Sequence, residues 1–161
     1  MRLNELFDRK FPYTWIQKSD DMWLAEFDAG DRKYHITIRT ENEFVNDENE
    51  PVIFWDLGFV PADNSLAGEH LMPSGGQEFK VFSTVLSAFR EFLQNVQPKM
   101  FSFSAHVTVP HRARLYRKIF HRFADHITDM GYTETECPRY PDANIDKRLK
   151  SDYVSVCLEK K

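Results

Sequence analysis

One carboxylate, Asp56, interrupts the apolar run VIFWDLGFV over residues 52–60. A carboxylate in such a run must be paired or hydrogen-bonded if it is buried, and a desolvated one is a candidate general base. Tyr116, within RARLYRKIF, offers a phenol that can act as a general acid. Gly75 and Gly76 open an amphipathic segment and are followed by Gln77 and Phe79. Glycines at a helix start let backbone N–H groups come close to an anion. Arg112, Arg114, Arg117, Lys118 and Arg122 give a second helical segment a basic face, able to hold phosphate or to stay solvated.

Other reactive side chains do not fall into working patterns. Ser83, Ser102 and Ser104 stand in no G-x-S-x-G context, so a serine hydrolase finds no support. His121 and His126 are five residues apart and do not share a helical face as metal-binding histidines at i and i+4 do. The acidic stretch 41–50 lacks the ordered spacing of a calcium loop and reads as an exposed hairpin loop. No metal is expected. His35 falls on the polar side of an alternating segment, where solvation is the simplest reading.

These residues need elements to position them. Residues 3–7 suit a short helix and 13–17 a short edge strand. Alternating apolar residues predict strands over 22–29 and 33–39, joined at Gly30-Asp31. The run 52–60 predicts a strand covered on both faces, with Gly58 marking a bulge or a close approach. A loop over 61–76 leads to a helix over 77–96, whose apolar stripe begins at Phe79 and which Pro98 stops. A strand over 100–105 follows, then a helix from Pro110 to about Met130 with Gly131 as its C-cap. Strands over 132–137 and 152–158 close the chain around a polar loop.

The whole is read as one domain over residues 1–161 of α+β class: a mixed, largely antiparallel central sheet with two main helices packed on it. Fourteen phenylalanines and three tryptophans supply core material, and 29% charged residues make an ordinary soluble surface. The net charge of −4 combines an acidic first 64 residues with a basic remainder, which argues against general nucleic-acid binding. No apolar run is long enough to span a membrane, and the N-terminus lacks a signal-peptide pattern. The reading places the chain in a cytoplasm, with Cys137 and Cys157 as free thiols.

The element order β-β-β-α-β-α-β-β resembles the GNAT superfamily of acyl-CoA-dependent N-acetyltransferases over most of the chain. The stretch Ser74-Gly75-Gly76-Gln77-Glu78-Phe79 is similar to the family's pyrophosphate loop, and Leu115-Tyr116 to its Leu-Tyr pair. The resemblance implies acetyl-CoA as cosubstrate, held by Gly75, Gly76, Gln77 and Phe79, with Arg112 on a phosphate. It implies Tyr116 as the acid that reprotonates the thiolate and an amine on a protein or small molecule as acceptor; the general base could be Asp56, or Glu69 or His70 in the loop after it. The chain departs from the family's [QR]-x-x-G-x-[GA] loop, having Met72 and Pro73 where Gln or Arg would stand. Glu78 adds a negative charge where a helix start favours a ligand anion. KVFSTVL, FSFSA and RARLY also resemble small phage-encoded proteins. That likeness implies a second possibility: a non-catalytic domain of this fold that binds a host protein in the host cytoplasm.

Overall fold

The computed structural model describes residues 9–62, 78–106, 110–139, 141 and 153–161. Strands β1 (Tyr13–Lys18), β2 (Met22–Ala29), β3 (Arg32–Val45) and β4 (Pro51–Pro61) form an antiparallel meander. Helix α1 (Glu78–Val96), strand β5 (Met100–His106) and helix α2 (Pro110–His126) follow, then β6 (Tyr132–Thr135) and β7 (Tyr153–Lys160). All seven strands make one sheet in the order β1-β2-β3-β4-β5-β7-β6. Every neighbouring pair is antiparallel except β4 and β5, which are parallel and joined through α1. The architecture is α+β with a mixed sheet and two main helices.

Hydrophobic alternation decides which face of the sheet is covered. Ala25, Phe27, Tyr34, Ile36, Ile38, Leu57, Phe59, Phe101 and Phe103 are buried at alternate positions and share one face. Both helices pack there. Phe103 is the junction, with ring centroids 5.6 Å from Phe89 of α1, 5.5 Å from Phe120 of α2 and 5.2 Å from Phe123 of α2. Phe82 of α1 meets Phe59 near the end of β4, and Phe92 of α1 meets Trp55 near its middle. The helix therefore runs antiparallel to β4, and its N-terminal half lies over the strand's carboxyl end.

Several boundaries differ from the sequence reading. Gly30 has φ 69° at the first position of the two-residue β2–β3 loop, the place a type II′ turn reserves for glycine. That explains the order Gly-Asp. Strand β3 runs on through the acidic stretch to Val45, and the turn is confined to residues 46–50. There the Asn46 side chain accepts the backbone N–H groups of Glu48 at 3.0 Å and Glu50 at 2.9 Å. Helix α2 stops at His126; a 3-10 turn, Thr128–Met130, follows and ends at Gly131 in the left-handed region with φ 92°. Phe79 does not join the buried stripe of α1, being 49% exposed in its first turn. The short helix over 3–7 and most of the two long loops lie outside the described residues.

One expectation is overturned. Cys137 and Cys157 are joined in a disulfide, with Cα atoms 5.2 Å apart. Thr135 is the register partner of Cys157, so the chain two residues further on passes directly beside it. The free-thiol argument for a reducing compartment falls with this bond. No described helix is long and apolar enough to cross a membrane.

Candidate functional site

Two regions gather polar or reactive groups, and they lie on opposite faces of the sheet. The first is the carboxyl end of the β4–α1–β5 unit. Although β4 continues to Pro61 and β5 to His106, they pair only at Trp55 with Phe101, Asp56 with Ser102 and Leu57 with Phe103. Ligands of parallel α/β units characteristically bind beyond the carboxyl ends of such strands, beside the helix start. Gly58 lies immediately past the paired segment. A Cβ built on it would stand 3.4 Å from the Ser104 carbonyl oxygen and 3.7 Å from Thr37 Oγ1, so the close approach expected of this glycine is by β5 backbone and a β3 side chain.

Tyr116 of α2 belongs to this end. Its ring lies 5.0 Å from Phe82 in the N-terminal half of α1 and 6.5 Å from Phe59 near the end of β4. The side chain is wholly buried, at 0% exposure. Gly75, Gly76 and Gln77 lie outside the described residues, as does the side chain of Arg112. Phe79 sits on the surface at the start of α1, where Ser83 Oγ donates to its carbonyl at 2.8 Å.

Asp56 lies on the other face. Register neighbours Met22, Arg39, Asp56, Ser102, Cys157 and Thr135 form a single row across the sheet. Ser102 Oγ donates to Asp56 Oδ1 at 2.8 Å and Ser104 Oγ donates to the same oxygen at 2.6 Å. Burial pushes the Asp56 carboxyl above its ordinary value, while the two serine donors and the Arg39 guanidinium pull against it. Glu41 is raised as well, first by burial and then by the negative charge of Asp56, with Arg39 opposing. Arg39 Nε stands 3.6 Å from Glu41 Oε1. The result is a carboxylate pair around one guanidinium that holds its protons more readily than free carboxylates do.

Asp56 and Tyr116 are therefore not brought together. The two serines are the partners that sequence reasoning missed. Their signal is the alternation of Phe101 and Phe103, which turns Ser102 and Ser104 to the opposite face. His35 stands on this polar face too, with Nε2 3.6 Å from Glu26 Oε2.

The far end of the β3–β4 hairpin is drawn toward the face that carries this row. In a flat sheet Val45 would lie about 25 Å from Cys157, three strand spacings across and six residues along. The path that actually links them, one disulfide and one hydrogen-bonded bridge, is shorter. It consists of the cysteine Cα separation of 5.2 Å, two residues of chain to Arg139, and the antiparallel bridge from Arg139 to Val45. That path reaches about 18 Å at full stretch. The end of the β3–β4 hairpin must therefore curl over the polar face, and the register shift between Glu41 and Phe44 supplies the bend. Phe54, two residues before Asp56 on the same face, is buried under this turn against Phe44 at 5.1 Å.

A third feature, a concavity of about 350 Å³, opens beside Trp23, Trp55 and Val96 at the far end of α1. Lys18 lies over the Trp23 ring at 4.9 Å there. It contains none of the predicted site residues.

Comparison with known proteins gave no match: no family model, no curated protein and no solved structure matches the chain.

Proposed function

We propose that the chain is a GNAT-like acyltransferase that moves the acetyl group of acetyl-CoA to an amine on a protein or small molecule. The observation that carries this reading is the position of Tyr116 beside the N-terminal half of α1, at the end where β4 and β5 stop pairing. In this reading the backbone N–H groups of Gly75, Gly76 and Gln77 hold the pyrophosphate ahead of α1. Phe79 and Arg112 flank the coenzyme. The neutral amine nitrogen attacks the thioester carbonyl, the C–S bond breaks, Tyr116 gives its proton to the departing thiolate, and the surplus proton of the nitrogen passes through solvent to restore the Tyr116 phenol. Asp56, on the other face, takes no part in that transfer.

A second reading has one observation in its favour: Tyr116 is fully enclosed by the aromatic core. On that reading the domain keeps the architecture and works by binding a host protein. Thiol release separates the two. Incubated with acetyl-CoA and a panel of small amines and lysine peptides, the protein should liberate free coenzyme A. Tyr116→Phe should slow that release about 100-fold, within the range of general-acid contributions, without weakening acetyl-CoA binding. Release that is absent with every amine, or unchanged in the variant, would overturn the enzymatic reading.

A further inference from the structure

We propose that Cys137–Cys157 is a redox-sensitive clasp that holds the β3–β4 hairpin over the polar face, and that a dithiol reductant opens it.

The bond fastens more than its own two strands. From Cys137 the chain runs to Arg139, whose backbone N–H donates to the Val45 carbonyl at 3.0 Å and whose carbonyl accepts the Val45 N–H at 2.8 Å. The Arg139 guanidinium also donates to Asn49 Oδ1, at the hairpin turn. One covalent link at β7 thereby helps fix the far end of a hairpin whose strands lie two and three positions away in the sheet order. The bridge and the guanidinium contact join this curled end to residues 136–139, and the disulfide ties those residues to β7. The main aromatic cluster lies on the opposite face.

The chemistry is accessible from one side. Cys137 is exposed and Cys157 is 3% exposed. A reductant thiolate can therefore attack Cys137 Sγ in line, breaking the S–S bond and expelling Cys157 as a thiolate that takes up a proton. The second thiol of the reductant then displaces Cys137. The reductant leaves as its own disulfide, and the protein gains two electrons and two protons. Opening the clasp removes the anchor of residues 136–139 and lets the hairpin swing away from Asp56, Ser102 and Ser104.

Amide hydrogen exchange on the full chain, with and without dithiothreitol, tests this. Reduction should accelerate exchange over residues 42–50 and 136–139 at least tenfold more than over residues 81–93 in α1, and reoxidation should restore it. Cys137→Ser should match the reduced protein in either condition. Equal acceleration in both regions would make the disulfide a general staple and overturn the proposal. So would unchanged exchange in the hairpin, or full alkylation of both cysteines in the oxidised, unreduced protein. The wild-type measurement stands by itself if the variant fails to fold.

Discussion

Asp56 is held on the polar face of the sheet by the hydroxyls of Ser102 and Ser104, with the Arg39 guanidinium nearby. A lone carboxylate in an apolar run predicts a partner, and the partners are two hydroxyls on the neighbouring strand. They could not be named in advance, because β4 and β5 are parallel and joined by a long crossover, so no local turn fixes their register. The raised pKa has a consequence for stability. The folded chain holds the Asp56 proton more tightly than the unfolded chain, whose value lies near the ordinary 3.8. This contribution is therefore complete below that value and is lost as pH rises through the folded one. Glu41 acts in the same direction. Asp56→Asn, measured by urea unfolding at pH 4 and pH 7, should lose less stability between the two than wild type does. Parallel pH profiles would contradict the assignment.

At the scale of elements, apolar patterning located the described strands and both helices: period-2 alternation in β2 and β3, a continuous apolar run in β4 and a 3.6-residue stripe in α1 and α2. It failed where local chemistry was weak or nonlocal. Polar Glu41, Asn42 and Glu43 hid the continuation of β3, whose pairing with β4 makes the strand regardless of side-chain polarity. Gly131 was correctly seen as a left-handed terminator, but it caps a 3-10 turn and not the helix. The disulfide was missed because it depends on the β6–β7 register, which spacing alone does not reveal. The layers meet at Phe103, stacked between Phe89 and Phe120. Phe103→Ala should cost about 3–5 kcal/mol in chemical denaturation while leaving the far-ultraviolet circular dichroism native-like. A loss under about 1 kcal/mol would mean that α1, β5 and α2 are not coupled through this ring.

Taken whole, the molecule is two-sided. One face of the sheet carries an aromatic core under two helices, and the other carries a polar row flanked by a curled hairpin and a disulfide. The fold class was legible because burial patterns are local in sequence; the bridge between Val45 and Arg139 and the Cys137–Cys157 bond were not, because they join residues far apart in the chain. The proposed chemistry belongs to the carboxyl end of β4–α1–β5. Its most direct test is thermal unfolding in the presence of acetyl-CoA. A ligand at 100 times its Kd should add about 2.7 kcal/mol to stability, and the melting temperature should rise with acetyl-CoA concentration. A melting temperature unmoved by millimolar acetyl-CoA would contradict the acyltransferase account.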